Sequence, residues 1–96
     1  MTGKQRAYLR KLANNIHVQY QIGKDGIEKD SYITLINDAL KANELIKIHV
    51  LENSEYTAKK ACDLLCKLTD ASPVQVIGRK FVIYKSSDKK SKIKLP

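Results

Sequence analysis

Within 96 residues, hydrophobic spacing switches repeatedly between a period near 3.6 and a period of 2, and this restricts the fold more than any other feature. "TGKQRAYLRKLANNI" opens with helical spacing: Leu9, Leu12, Ala13 and Ile16 follow i, i+3, i+4, i+7 and form a stripe for burial. Thr2 can cap that helix, and Gln5 completes a capping box. "IHVQYQI" then alternates, which places Ile16, Val18, Tyr20 and Ile22 on one face of a strand and His17, Gln19 and Gln21 on the other. On this reading Tyr20 is a core residue rather than a stacking platform. "DSYITLINDALKAN" returns to helical spacing, with Asp30 or Ser31 as cap, Ile33, Ile36, Ala39 and Leu40 inward, and Asn43 as stop. "ELIKIHVL" alternates again and sets Ile46, Ile48 and Val50 against Lys47 and His49. "SEYTAKKACDLLCKLTDAS" predicts a third helix with Ala58, Ala61, Cys62, Leu65 and Leu68 inward and Pro73 at its end. "VQVIGRKFVIYK" reads as two short strands around Gly78, Arg79 and Lys80, a hairpin.

The predicted order is therefore α-β-α-β-α-β-β. Strands separated by helices favour parallel pairing through crossovers, and the terminal hairpin must be antiparallel. The expected fold class is α/β (α+β): a four-stranded mixed sheet packed with three helices. A chain this short forms one domain with a thin core, expected over residues 1–85, followed by a basic, mobile tail over residues 86–96. No apolar run approaches the roughly 18 residues of a membrane span, and the first residues show no apolar signal segment. The expectation is a cytosolic monomer without membrane contact.

Net charge is +8, and it is unevenly placed. Residues 1–12 carry Lys4, Arg6, Arg10 and Lys11 and no acid, while residues 85–96 carry five lysines and Asp88. The stretch between them, residues 13–84, is neutral. Positive charge concentrated at the chain ends suits a polyanion, most simply a nucleic acid.

Signals for catalysis are weak. His17 and His49 lie on alternating strands with no carboxylate or nucleophile nearby in sequence, and no Walker A loop, GxGxxG or zinc spacing occurs. Cys62 and Cys66 supply two thiolates, half of a tetrahedral metal shell, and read as small half-buried apolar residues in a reducing compartment. No cofactor and no metal are expected, and the chain reads as non-enzymatic.

Gly23-Lys24-Asp25-Gly26 is more informative. Glycine reaches positive φ and admits close approach, and a strand-to-helix turn leaves backbone N–H groups available to anions. A GxxG loop between elements is how KH-type modules clamp a nucleic-acid backbone. Lys24 would add a phosphate contact, whereas Asp25 works against one. With no Trp and one Phe, base stacking of the RRM or OB-fold kind is disfavoured, so binding should run through the backbone.

Four segments together resemble the CRM domain family (chloroplast RNA splicing and ribosome maturation) in its stand-alone bacterial YhbY-like form. They are "TGKQRAYLRKLA", "QIGKDGI", "ALKANELIKIHVL" and "VQVIGRKFVIYK", and the ending "KIKLP" is also similar. The resemblance spans nearly the whole chain. It implies a fold like the C-terminal domain of translation initiation factor 3, RNA binding, and association with precursors of the large (50S) ribosomal subunit. The loop it implies is Gly23, Lys24, Asp25 and Gly26, and the accompanying basic surface is Lys4, Arg6, Arg10 and Lys11. Val18 stands where the family often has proline, Asp25 where a neutral residue is usual, and the stretch after Gly26 is one residue longer.

The combined expectation is an RNA-binding domain in which the amides of Gly23–Gly26 and the Lys24 side chain hold ribosomal RNA. Arg6, Arg10 and Lys11 extend the cationic surface, with Lys29, Arg79 and Lys80 as further candidates. A module that docks on a ribosomal protein and a small DNA-binding module are the rival readings.

Overall fold

Thr2 begins the first helix as its spacing requires. The Thr2 hydroxyl accepts the Gln5 amide at 3.1 Å, and the Gln5 side-chain oxygen accepts the Thr2 amide at 3.0 Å. This closes a capping box on α1, Gly3–Ala13. A computed structural model describes residues 1–86 together with Ile93 and Leu95. After α1 come β1 (Tyr20–Ile22), α2 (Asp30–Asn43), β2 (Leu45–Val50), α3 (Ala58–Thr69), β3 (Ser72–Ile77) and β4 (Lys80–Tyr84). The strands form one sheet in the order β1-β2-β4-β3.

Connection lengths explain the pairing. α2 carries the chain back so that β1 and β2 run parallel, with Tyr20 opposite Ile48 and Ile22 opposite Val50. β3 and β4 are joined by the two-residue turn Gly78-Arg79, and Gly78 takes φ +58, a conformation that glycine adopts without strain. β4 then inserts antiparallel between β2 and β3. The expected mixed sheet with three helices is the architecture observed.

Each strand of the sheet has two faces, and the core is split accordingly. On one face α2 and α3 bury Ile22, Ile36, Leu40, Ile46, Ile48, Val50, Leu65, Phe81 and Ile83. On the other, α1 sets Leu9 and Ala13 against Leu45, Val74, Val82 and Tyr84. Burial of each large side chain contributes about 1.5–3 kcal/mol, so most of the stability rests on these two clusters.

Four local expectations are corrected. The predicted strand over residues 16–22 is shortened to Tyr20–Ile22, with the Gln19 amide already donating to the Lys47 carbonyl, because the amides of Asn15 and Ile16 still bond back to Leu12 and Ala13 at the exit of α1. Ile16 consequently packs with the α1 cluster while Tyr20 and Ile22 belong to the other. The cap of α2 is Lys29, with Asp30 the first helical residue, and the Lys29 carbonyl takes the amides of Tyr32 and Ile33. α3 ends at Thr69 through Asp70 at φ 58, and Pro73 lies in β3, an edge strand that tolerates proline, next to a bulge. Leu68 is 44% exposed, because it sits at the margin of the α3 stripe whose centre is taken by Cys62, Leu65, Cys66 and Thr69.

Glu44 was not anticipated. It is wholly buried at φ 62, between α2 and β2. Its amide donates to the Leu40 carbonyl at 2.8 Å, its carbonyl accepts the Lys85 amide at 2.9 Å, and its carboxylate accepts the Ile93 amide at 3.2 Å. Lys85 Nζ in turn donates to the Thr69 carbonyl at 2.9 Å. The mobile tail expected over residues 86–96 falls largely outside the described residues, but Ile93 and Leu95 are half-buried against the α1 cluster. Glu44→Ala, which removes the acceptor for the Ile93 amide, is expected to cost about 1–3 kcal/mol, and Glu44→Gln, which retains an acceptor, distinctly less. Urea midpoints of the two variants measure the difference, and equal losses would show that a neutral amide oxygen cannot replace the Glu44 side chain at this position.

Candidate nucleic-acid interface

The glycine turn is built on the ends of β1 and β2. Ile22 is buried, and its carbonyl accepts the Leu51 amide at 2.9 Å, which continues the parallel pairing one step beyond β2. Gly26 then donates to the Gly23 carbonyl at 3.2 Å and closes a turn over Gly23, Lys24, Asp25 and Gly26. Gly26 sits at φ +78, where a side chain would be strained. Gly23 does not, and a Cβ there would meet Leu51 Cδ1 at 3.6 Å and Asn53 Oδ1 at 3.7 Å, ordinary contacts. Only the second glycine is demanded by the backbone. Lys24 and Asp25 are exposed at the two central positions, and their amides meet no acceptor among the described residues. Ile27, wholly buried in the larger cluster, anchors the turn from its far side.

The surroundings of this turn are mixed in charge. On one side a shallow depression is lined by Lys24, Asp25, Gly26, Ile27, Glu28, Glu55 and Tyr56, so three carboxylates face one lysine. On the other side Asp25 and Gly26 adjoin Lys29, Ser31, Tyr32 and Leu35. Three residues, Ile27, Glu28 and Lys29, separate Gly26 from the first turn of α2. Tyr32 fixes that helix to the sheet: its hydroxyl donates to the Gln21 carbonyl at 3.1 Å. Burial, reinforced by the neighbouring Tyr20, pushes the Tyr32 phenol up to about 12.

Arg79 belongs to the same end of the sheet. Its Nε donates to the Val50 carbonyl at 2.9 Å and its Nη2 to the Leu51 carbonyl at 2.5 Å, while the Val50 amide donates to the Arg79 carbonyl at 2.7 Å. The guanidinium thus ties the hairpin turn to the strand end that carries the glycine turn. Lys80 starts β4 opposite His49, on the α1 side of the sheet. Lys4, Arg10 and Lys11 are exposed along α1, and Arg6 is half-buried. α1 covers the opposite end of β2, at Leu45. The structure therefore groups Gly23, Lys24, Asp25, Gly26, Lys29 and Arg79 at one end and the α1 cations at the other, with Lys80 between them.

Sequence reasoning placed Lys47 and His49 on the outward face of their strand but gave them no role. The register puts Lys47 on the same face as Lys80 and close to it, which only the pairing of β2 with β4 could reveal. Cys62 and Cys66 are buried in α3, and the hydrogen bond to Cys62 together with burial pushes the Cys66 thiol up. Among the described residues no cluster of three or more His, Cys, Asp or Glu side chains could hold a metal ion, and no helix is long and apolar enough to cross a membrane.

The family model for the CRS1 / YhbY (CRM) domain matches residues 1–85. The chain belongs to the CRM domain family. Over its full length this CRM domain is 40% identical to the Bacillus subtilis protein named "Probable RNA-binding protein YqeI", of which it covers 99%. It is 30% identical, again over its full length, to a Haemophilus influenzae protein named "RNA-binding protein", covering 95% of it. A solution structure of a Staphylococcus aureus protein proposed to bind RNA matches with TM-score 0.80 and 46% identity, covering all of this chain and 99% of that one.

The Tyr32 environment gives a direct check on the geometry around the turn. Because the folded phenol holds its proton more tightly than the ordinary value of 10.0, the unfolded chain ionises first as pH rises. Stability is accordingly unaffected by Tyr32 below about pH 10 and declines between there and about 12. Titration of tyrosinate absorbance is expected to show one phenol ionising near 12 that is absent from Tyr32→Phe, and the variant should lose stability less steeply across that window.

Proposed function

We propose that this CRM domain binds RNA through the phosphate backbone, and that the RNA is ribosomal, in precursors of the large (50S) subunit. One observation carries the reading. The Gly23–Gly26 turn presents Lys24 and two amides without internal acceptors from a strand pair fixed by Ile22, Leu51 and Arg79. The names of relatives supply the nucleic acid: the Bacillus subtilis and Haemophilus influenzae proteins are both named for RNA binding. Two adjacent N–H donors with a lysine beside them suit a phosphate oxygen. Such contacts position RNA without reading its sequence, so selectivity would come from RNA shape or from neighbouring ribosomal proteins. Arg6, Arg10 and Lys11 would add a second cationic contact from α1, and Lys29 and Arg79 the margin of the first. The protein acts in the cytoplasm as a monomer and without a cofactor in this reading, and no catalytic step is assigned to it.

A second reading has its own support. Ile33, Leu64 and 44% exposed Leu68 line a groove between α2 and α3 with Thr34, Glu28 and Asp30, which suits contact with a protein of the same particle. Retention on that particle after nuclease treatment would favour it.

Lys24→Asp combined with Asp25→Glu keeps both glycines and reverses the lysine charge. Affinity for ribosomal RNA at physiological salt is expected to fall severalfold, and an unchanged affinity removes the turn from the interface. Binding by the unaltered chain should weaken steeply between roughly 50 and 200 mM salt, and a flat response contradicts a phosphate-directed mode.

A further inference from the structure

Among the described residues, the α1 face of the sheet is only half covered. α1 and the distal residues Ile93 and Leu95 pack over Leu45, Val74, Val82 and Tyr84, toward the beginning of β2. Among the described residues, no helix lies over the same face toward the other end of β2. The register there aligns Gln21, His49, Lys80 and Ile77 in one row across all four strands. The adjacent row holds Lys47, Val82 and Gln75. Between this region and the end of α1 lies a depression of about 170 Å³ lined by Asn14, Lys47, Gln75, Ile77, Lys80, Phe81 and Val82, without a carboxylate.

The charge on this face is one-sided. Neither Lys47 nor Lys80 has an ion-pair partner among the described residues. Lys80 lies opposite His49, and Lys47 lies opposite Val82, two residues further along β4. The two lysines are therefore diagonal neighbours on one face of an antiparallel pair, about 7–8 Å apart. That separation is comparable to the distance between successive phosphates of an extended strand. Ile77, 61% exposed, and the half-buried His49 flank Lys80 and give the row a flat, partly apolar floor, while Gln21 and Gln75 offer side-chain amides. The region runs from the last turn of α1 to the strand ends that carry the glycine turn, so it lies between the two cationic groups already described.

We propose that this uncovered half of the sheet is a second RNA-contacting surface, on which Lys47 and Lys80 hold successive phosphates of a single-stranded segment that continues from the Gly23–Gly26 turn. The proposal rests on the RNA reading above. It assigns roles to Lys47, His49, Gln75 and Ile77 and joins two otherwise separate groups of cations into one track. A single strand fits better than a duplex, because the floor is flat and the depression shallow, and exposed bases can lie against Ile77 and the His49 ring.

The test compares the unaltered chain, Lys47→Gln/Lys80→Gln, Lys47→Arg/Lys80→Arg and Lys24→Gln on two labelled probes, a single-stranded homopolymer RNA and an RNA hairpin. Loss of two phosphate contacts lowers the slope of log affinity against log salt by about 1.4 on the single strand. The double glutamine variant should show that reduction with an unchanged melting temperature, and the double arginine variant should restore the slope. The hairpin should be affected less. Slopes equal to those of the unaltered chain on both probes overturn the sheet surface, even where Lys24→Gln weakens binding and upholds the turn. A loss in the double glutamine variant with none in Lys24→Gln upholds the sheet and removes the turn. Failure of the unaltered chain to bind either probe overturns both.

Discussion

The alternation of β2 is the constraint on which the remainder of the molecule depends. Ile46, Ile48 and Val50 are wholly buried under α2 and α3, while Lys47 and His49 between them are half-exposed on the other face. β2 pairs on both sides, with β1 and with β4, so its register is imposed on both neighbours. A slip of one residue would exchange the faces and carry a lysine and a histidine into the core. With about 1.5–3 kcal/mol at stake for each large apolar side chain, no such slip is tolerable in a domain this small. Phe81 and Ile83 must then face α2 and α3, and Val82 and Tyr84 must face α1, which is how they are found.

The same constraint shapes the candidate site. Because the strands are held in one register, their ends are rigid, and the glycine turn begins at a fixed point, Ile22 opposite Val50. Arg79 adds a cross-brace from the hairpin turn to the carbonyls of Val50 and Leu51. A guanidinium held this way is less a free cation than a structural donor, although it remains exposed beside the turn. Glu44 performs the equivalent task at the other end of β2, where it joins α2, the residue after β4 and Ile93 through three hydrogen bonds. Both ends of β2 are thus tied to distant segments by hydrogen bonds, through the Arg79 side chain at one end and through the Glu44 main chain and side chain at the other.

What could be read in the sequence is what depends on neighbouring residues. The capping box of Thr2 and Gln5, the helical stripe of Leu9 and Ala13, the alternation of Ile46 to Val50 and the hairpin at Gly78 are local patterns, and each reappears in the structure. The order of elements and the mixed sheet follow from them. Features that depend on pairing between distant segments were not legible. The strand of residues 16–22 was shortened because α1 unwinds into a turn through Ile16 before the chain reaches Lys47. Pro73 resembled a helix stop and is an edge-strand residue, a distinction that requires the strand order. Glu44 gave no signal, since a glutamate at a helix exit is ordinarily solvated, and its burial requires Lys85 and Ile93 to arrive from the far end of the chain. The turn itself was legible as a turn, but its neighbours Glu55 and Tyr56 lie thirty residues downstream in sequence, and their presence could not be inferred from the GxxG spacing.

Those neighbours alter how the charge of the molecule should be understood. The net excess of +8 does not collect at the glycine turn, where Asp25, Glu28 and Glu55 surround Lys24. A long-range field there is largely cancelled, so the turn cannot draw a polyanion by attraction alone. In the proposed mode its two open amides act as neutral donors, which would meet a phosphate oxygen at contact distance and release no counterions on their own account. In the proposed mode, attraction at a distance would come from the cations of α1, from the lysines of residues 85–96, and from Lys47 and Lys80, whose depression has no carboxylate in its lining. The division is physically sensible. In the proposed mode, cations spread over a flat face would hold a strand mainly by charge, and a turn with directional donors would mainly set where its backbone lies. Substituting carboxylates near the turn would then strengthen attraction there by lifting the cancellation of Lys24, whereas substituting Lys47 and Lys80 would weaken attraction on the sheet and leave the directional donors of the turn in place.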